Sequence, residues 1–577
     1  MKTNTAIPLI VISAMLALTV SLPTVSSAAS TKTLEVTPAS QVQIAVDRSA
    51  QIVPLRAVVE TLGGEVLWDE TSSSVSVKYL GHVLSLKIGS AEAVIDGKAI
   101  TLPSAAQLIE ERTNVALHAL NEALGTTIGW DDQAQAIIFD KTDLTGKATA
   151  FIASALGSSS NSSTQFFSAN LGSVATADTI KQFFGVATGQ LGSFKRVTKL
   201  TSDKTIVHEN VRLTLTFEKS EIPFVLRFNQ GGEIDDFLID STAATKLEGY
   251  KLPSYANSES YSEKEVTIGE GRWALPGTLT LPTGKGPHPV VVLVHGSGPN
   301  DRDEWLGALK PFSDLAAGLA SQGIAVLRYD KRSLEYPAQL SLLPNMTMKE
   351  EALDDALTAV KQMSNTEGID PKQIYVLGHS QGGFMMPRLV EADKDKQIAG
   401  AVLMSAPGGS LFDLMEEQFS YLVDLKQMPP QTLDFYKGQF AILKDPNLST
   451  ANPPKEYSLG NWFMDLRGYE PAEMAKTQTG NMLILQGGRD YQVMPEQLDI
   501  WKNNLKDRND VTYRLYPKLN HFFTEGEGAM STPQEYFKQA NIPSEVINDI
   551  GNWVKNKILT GDRLCPSCDA LPSTLRT

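Results

Sequence analysis

A serine set among glycines, Gly378-His379-Ser380-Gln381-Gly382-Gly383, follows the apolar run Ile374-Tyr375-Val376-Leu377 and precedes a segment, Phe384 to Ala392, that reads as helix. Strand, Gly-x-Ser-x-Gly, helix is the context of a nucleophile elbow. The turn is tight enough that Gly378 and Gly382 must lack side chains, and it lifts Ser380 clear at the end of its strand. A serine hydroxyl is a poor nucleophile at neutral pH. It needs a base to take its proton and an acid to orient that base. An ordinary glycine-rich turn has the same spacing, so Ser380 gains chemical meaning only if the other two groups exist.

Both have candidates downstream. Met482-Leu483-Ile484-Leu485-Gln486 reads as a short buried strand and runs into Gly487-Gly488-Arg489-Asp490. An aspartate just past a parallel strand can reach across the carboxyl edge of a sheet. Asp499 falls in an expected helix and Asp510 ahead of a strand, so both read as solvated surface charges. Val511 to Tyr516 alternates as a strand and ends in Pro517-Lys518-Leu519-Asn520-His521, and His521 is the only histidine after Ser380. A fourth loop, His295-Gly296-Ser297-Gly298, ends the β-branched run Pro289 to Val294, which suits a strand covered on both faces. His295 and His379 read as packing residues that support their loops.

These segments together resemble a known family. Val294 to Glu304 (VHGSGPNDRDE), Leu327 to Arg332, Gly378 to Gly383, Gly487-Gly488-Arg489-Asp490-Tyr491-Gln492-Val493 and Leu519-Asn520-His521-Phe522-Phe523 are similar, in order, to motifs of bacterial α/β-hydrolase carboxylesterases. The resemblance spans roughly 265–560. It implies an α/β-hydrolase fold, a catalytic triad of Ser380, Asp490 and His521, and an oxyanion hole built from the backbone N–H groups of Ser297 and Gln381. It implies no metal and no organic cofactor. The cluster Asp301-Arg302-Asp303-Glu304 beside the oxyanion loop reads as a set of ion pairs pinning that loop, with Lys331 or Arg332 as partners. The alternative is a polar contact to the leaving group.

With 577 residues, 42% of them hydrophobic, the chain is too long for one core, and two to four domains are expected. A net charge of −15 argues against nucleic acid and against an anionic membrane surface. Lys2, the apolar stretch Ile7 to Val20 and the small residues Ser26-Ser27-Ala28-Ala29 read as a signal peptide over 1–29. This predicts a secreted or envelope-associated bacterial protein with no span left after cleavage. The two cysteines, Cys565 and Cys568, lie in a tail, 561–577, with no second pair or nearby histidine to complete a zinc site.

Two modules precede the enzyme. Val53-Pro54-Leu55-Arg56, Leu62-Gly63 and Trp68-Asp69 recur 62 residues later as Val115-Ala116-Leu117-His118, Leu124-Gly125 and Trp130-Asp131. Each copy reads as a short helix, a glycine stop and a strand whose Trp anchors a core. One copy is too small to bury a core alone. The segment 35–141 resembles the N-terminal domain of copper amine oxidases, which recurs on secreted proteins of Gram-positive-type bacteria. His82 and His118 stand apart, so no copper site is expected; attachment to cell-wall polymer or spacing at the envelope is. Residues 146–250 read as a small α+β domain, with helices over Ala148 to Leu156 and Thr179 to Phe184 and paired strands over Val211 to Phe217 and Phe224 to Phe228. A linker over Leu252 to Ser262 leads to a catalytic domain at 263–560.

Between the strand Ala401 to Met404 and the strand at Met482 lies more chain than a minimal α/β unit needs. The excess, about 409–475, reads as a helical cap carrying Phe412, Met415, Phe419, Tyr421, Trp462, Phe463 and Met464. The expected architecture is therefore an α/β-hydrolase with a helical cap behind two small α+β domains. The expected function is a secreted serine carboxylesterase acting on a small-molecule ester. A peptidase, thioesterase or acyltransferase of the same fold is the nearest alternative; a non-catalytic envelope-binding protein is the other.

Overall fold

The computed structural model describes residues 51–131, 133, 136–140, 142–156, 163–240, 246–247 and 249–555. The expected signal peptide, the first residues of the repeat domain and Cys565 and Cys568 lie outside the described residues. The chain divides into two compact units. One holds residues up to 244 together with 335–345, and the other holds 245–334 and everything from 346.

In the first unit the repeat folds as β1 (Ile52–Pro54), α1 (Leu55–Thr61) and β2 (Glu65–Asp69), matched by β8 (Arg112–Ala116), α2 (Leu117–Leu124) and β9 (Gly129–Asp131). β1 and β8 pair antiparallel, Val53 opposite Val115, so the two copies join through equivalent strands. Between them β3 (Ser74–Tyr79), β4 (His82–Lys87), β5 (Glu92–Ile95) and β6 (Lys98–Thr101) extend β2 into a five-stranded meander; β7 (Gln107–Ile109) pairs with β8, and β10 (Ala136–Ile138) with β9. α2 ends at Gly125, whose φ of +63° only glycine adopts without strain. The two Trp positions diverge. Trp130 is 6% exposed, as a core anchor should be, but Trp68 is 47% exposed. Trp68 stands on the edge strand of the meander, where its ring lacks cover on one side.

The second segment of this unit contains α3 (Leu144–Leu156), α4 (Ala177–Leu191) and the antiparallel sheet β11 (Phe194–Lys204), β12 (Glu209–Phe217), β13 (Glu221–Phe228), β14 (Ile234–Ile239). Thr176 caps α4 through a reciprocal capping box with Thr179. Phe151, Phe183, Phe184, Phe224 and Phe237 interlock at ring separations of 5.1–6.3 Å. Both segments contribute to one continuous apolar core, which also takes in Ala338. The 335–345 segment is held by buried polar groups. Asp236 accepts backbone N–H bonds from Ala338 (3.0 Å) and Gln339 (2.9 Å), and His208 lies between Glu335 (2.6 Å) and Asp235 (3.1 Å).

The second unit is built on one eight-stranded sheet in the order β15-β16-β18-β17-β19-β20-β21-β22. β15 (Tyr261–Ile268) and β16 (Leu275–Pro282) form an antiparallel hairpin that starts within the expected linker. β17 (His288–Val294), β18 (Ala325–Tyr329), β19 (Ile369–His379), β20 (Ile398–Met404), β21 (Asn481–Gly487) and β22 (Val511–Tyr516) run parallel to one another, and β18 also pairs antiparallel with β16. The inner parallel strands are nearly continuous apolar runs, as strands covered on both faces are, while the edge strand β22 alternates. α5 (Pro311–Ala320) and the last described helix, α13 (Ser544–Val554), pack on one face with Val291, Leu293, Leu377, Val402 and Leu483. α7 (Asp354–Met363) follows α6 (Lys349–Leu353), a π-helical turn. The sequence expects one helix from Phe384. Instead α8 (Gln381–Phe384) starts directly after Ser380, and α9 (Met386–Ala392) follows a break at Met385. Pro387 in the first turn of α9 donates no N–H to the turn before it, which permits the break. The cap contains α10 (Leu411–Asp424) and α11 (Pro430–Lys444), and α12 (Gln497–Asn504) follows β21.

Candidate active site

Ser380 sits at the end of β19 with φ +51° and ψ −114°, a conformation a non-glycine residue holds only under constraint. The constraint comes from its neighbours. An added Cβ on Gly378 would overlap the Gly382 backbone, and one on Gly382 would overlap the Val294 carbonyl. The Ser380 N–H donates to the Met404 carbonyl on β20 at 2.9 Å. Ser380 is half-buried while the α8 residues behind it are buried.

Asp490 and His521 leave β21 and β22 by adjacent loops and meet. His521 Nδ1 lies 2.8 Å from Asp490 Oδ2, with Asp490 fully buried. Asp490 Oδ1 accepts the backbone N–H groups of Gln492 (2.8 Å) and Val493 (2.9 Å). Gly487 and Gly488 explain how the loops come so close: a Cβ on Gly487 would lie 2.6 Å from the Leu519 carbonyl, and one on Gly488 2.7 Å from Pro517 Cα. Asn520, wholly buried, folds the His521 loop by accepting N–H bonds from Phe522 and Thr524, both at 3.1 Å. Asp499 and Asp510 are elsewhere. Asp499 is exposed on α12, and Asp510 pairs with Arg508 at 2.8 Å.

His379 joins the parts. Its Nε2 lies 3.0 Å from the His521 carbonyl, its ring centroid 4.7 Å from that of His521, and its Nδ1 2.8 Å from Glu304 Oε2, an ion pair without the alignment of a hydrogen bond. Burial opposes a charged His379, but Glu304 outweighs it and raises the imidazole above its ordinary value. Burial likewise opposes a charged Glu304, and His379 holds that carboxyl below its ordinary range. The other oxygen of Glu304 accepts the Gly296 N–H at 2.6 Å. A Cβ on Gly296 would lie 3.2 Å from Ser380 Cβ, so the 295–298 loop runs against the serine. Ser297 is exposed at the tip of that loop. Gln381 opens α8, where a first-turn N–H has no helical carbonyl to receive it. His295 is a loop support: burial pushes it down to about 4, and Nε2 meets the Asp301 carbonyl at 3.1 Å.

The charged cluster is pinned by ion pairs, but by partners other than those expected. Asp301 pairs with Lys246 (2.6 Å), Arg302 with Asp330 (3.1 Å) and Glu265 (2.7 Å), and Asp303 with Lys310 (3.2 Å) and Arg328. Lys331 turns inward to Glu351 at 2.8 Å, and Arg332 pairs with Asp355. The expected pairing was a direct one to Lys331 or Arg332. The sheet defeats it, because β18 delivers Lys331 and Arg332 into the body behind the loop. Sequence reasoning missed Glu351, the Glu304–His379 pair and Gln486, whose Nε2 donates to Asp490 Oδ2 at 3.4 Å; of these only Gln486, a polar residue closing the apolar run Met482 to Leu485, carried a signal.

Cap aromatics divide in two. Phe412 stacks on Phe440 (5.3 Å), Phe419 meets Tyr436 (5.0 Å) and Phe463 meets Phe440 (6.3 Å), all within the cap. Tyr421 stacks on Tyr491, next to Asp490, at 5.3 Å, and the Trp462 indole N–H reaches Glu351 at 2.6 Å. Tyr491, Tyr536 and Phe522 continue an aromatic wall to His521.

Residues 291–533 match the model of the alpha/beta hydrolase family, and residues 33–139 match that of the copper amine oxidase N-terminal domain. Esterase EstD of Thermotoga maritima is 38% identical over 370 residues, covering 63% of this chain and 84% of that protein. That span exceeds the 317 residues from Tyr261 to the C-terminus, so it reaches back into the sheet of the first unit. A probable dipeptidyl peptidase 4 of Emericella nidulans is 26% identical over 211 residues, 35% of this chain and 26% of that one. An esterase structure from Pyrococcus furiosus has 18% identity and a TM-score of 0.36, covering 54% of this chain and 98% of its own. With an eight-stranded hydrolase sheet, a strained serine turn at its edge and a match over most of Esterase EstD, the chain belongs to the family of α/β-hydrolase esterases.

Proposed function

We propose that this chain is a secreted serine carboxylesterase that works through an acyl-enzyme. The observation that carries the reading is the buried Asp490–His521 pair, 2.8 Å apart, at strand ends that share an edge with the strained Ser380 turn. With Nδ1 turned to Asp490, His521 keeps Nε2 as the acceptor a general base requires. Ser380 Oγ attacks the ester carbonyl and His521 Nε2 takes its proton. The carbonyl oxygen becomes an oxyanion held by the N–H groups of Ser297 and Gln381. As the tetrahedral intermediate collapses, the C–O bond to the alcohol breaks and His521 returns the proton to the alcohol. Water, deprotonated by His521, then attacks the acyl-serine, and the free acid leaves with Ser380 restored.

Secretion rests on Lys2, the apolar run Ile7 to Val20 and Ser26 to Ala29, and a cell-wall polymer remains the proposed partner of the repeat domain. Among the described residues no helix is long and apolar enough to cross a membrane. The test is hydrolysis of p-nitrophenyl esters against aminoacyl anilides. Esters are expected to turn over and anilides not, with Ser380→Ala lowering ester turnover by about 10⁴-fold or more. Full activity in Ser380→Ala would remove the assigned nucleophile, and preferential anilide cleavage would make the enzyme a peptidase.

A further inference from the structure

Lys331 is 2% exposed and makes three contacts: the Gly296 carbonyl (2.8 Å), Gln381 Oε1 (3.0 Å) and Glu351 Oε1 (2.8 Å). The first two are hydrogen bonds and the third is an ion pair, so the buried charge is both compensated and held in place. The first contact matters most. The Gly296 carbonyl and the Ser297 N–H are opposite ends of one planar peptide group. A cation on the oxygen therefore fixes where the N–H points and draws electron density from it, which makes it a stronger donor. Asn300 Nδ2 supports the same oxygen at 3.2 Å. The loop needs such an anchor, because Ser297 is exposed between Gly296 and Gly298, and Gly298 has φ +91°. The second contact reaches Gln381, whose own N–H is the other oxyanion donor in the reading above.

Glu351 completes the arrangement. It sits in the π-helical turn α6, a local irregularity common at functional sites. Its second oxygen accepts Gln381 Nε2 (3.0 Å) and the Trp462 indole N–H (2.6 Å). Trp462 belongs to a short helix, Asn461–Asp465, in the cap segment. A continuous path thus runs from a cap indole through a carboxylate and an ammonium to the back of the Gly296–Ser297 peptide.

We infer that Lys331 is a positioning residue for the oxyanion hole, orienting and polarising the Ser297 N–H, and that Glu351 and Trp462 tie this charge to the seating of the cap. The inference rests on the serine-esterase reading. Loss of an oxyanion donor outright costs about 10²–10³ in turnover; removing the charge behind a donor should cost about 10- to 100-fold, with KM little changed.

The experiment uses the full chain and two variants. Lys331→Met/Glu351→Gln removes both charges, so no buried ion is left alone. Trp462→Phe keeps both charges and removes one hydrogen bond. Each is assayed with p-nitrophenyl butyrate, and with a trifluoromethyl ketone that adds to the serine as an oxyanion, alongside the matching alcohol, which cannot. The double variant should lose turnover and ketone affinity by the same factor, with alcohol affinity unchanged. Trp462→Phe should show the same correlation at three- to tenfold. Unchanged turnover and ketone affinity in the folded double variant would overturn the inference, as would equal losses for ketone and alcohol. If the double variant does not fold, Trp462→Phe decides: a correlated loss supports the coupling, and none overturns it. If the wild type fails to bind the ketone, or Ser380→Ala hydrolyses ester normally, the serine reading falls instead.

Discussion

At the scale of single residues, the site depends on buried polar pairs whose worth follows protonation. His379 and Glu304 hold the serine turn, the oxyanion loop and the His521 backbone to one another. His379 is raised in the folded state, so its contribution is fully present below about pH 6.5 and is lost as pH rises through the higher folded value. Glu304 is lowered, so its contribution is present above about pH 4.3 and is lost as pH falls through the lower folded value. Breaking a buried pair by removing one partner costs about 3–5 kcal/mol. His379→Gln should therefore unfold at a lower temperature than wild type near pH 6, with the gap narrowing toward pH 9. Melting curves across pH 5–9 check this; a constant gap would mean the pair does not titrate as described.

At the scale of elements, the strand–turn–helix at β19 and α8 works because three backbones cross where no side chain fits. The overlap of a Gly382 Cβ with the Val294 carbonyl is with backbone, which cannot swing aside. Gly382→Ala should destabilise by about 1–3 kcal/mol, as overpacking does. It should also lower turnover by about 10²-fold where the variant is still folded, since small misplacements of a nucleophile are costly. Circular dichroism melts and ester assays on the same samples would separate the two effects. A variant with normal turnover would show that the turn has more room than these contacts allow. The elements themselves were legible because the strands that carry the serine turn and the Asp490 loop are apolar runs closed by glycines. The break at Met385 and the π-helical turn at Lys349–Leu353 were not, since neither interrupts the hydrophobic pattern.

At the scale of the molecule, the first unit is more than a separable spacer. It includes residues 335–345, where Asp236 receives two backbone N–H groups and His208 joins Glu335 to Asp235. A chain beginning at Ser262 would leave Tyr336, Ala338, Gln339 and Leu340, all buried in the full protein, without those partners. It should therefore be less soluble than the full chain and melt well below it, consistent with a loss of at least about 3–5 kcal/mol from the buried cluster alone. Scanning calorimetry of both proteins tests this, and an unchanged hydrolase transition would show that the segment folds without the first unit.

Local chemistry in the sequence determined the serine turn, the strand ends carrying Asp490 and His521, and the doubled helix–glycine–strand unit, because turn sterics and hydrophobic period act over a few residues. Tertiary structure alone decided which charge met which. Lys331 turned to Glu351 rather than to the 301–304 cluster, Trp68 stayed exposed while Trp130 was buried, and a stretch of the catalytic half joined the front unit. Those outcomes depend on how separate elements stack and cover one another, and spacing along the chain carries no record of that.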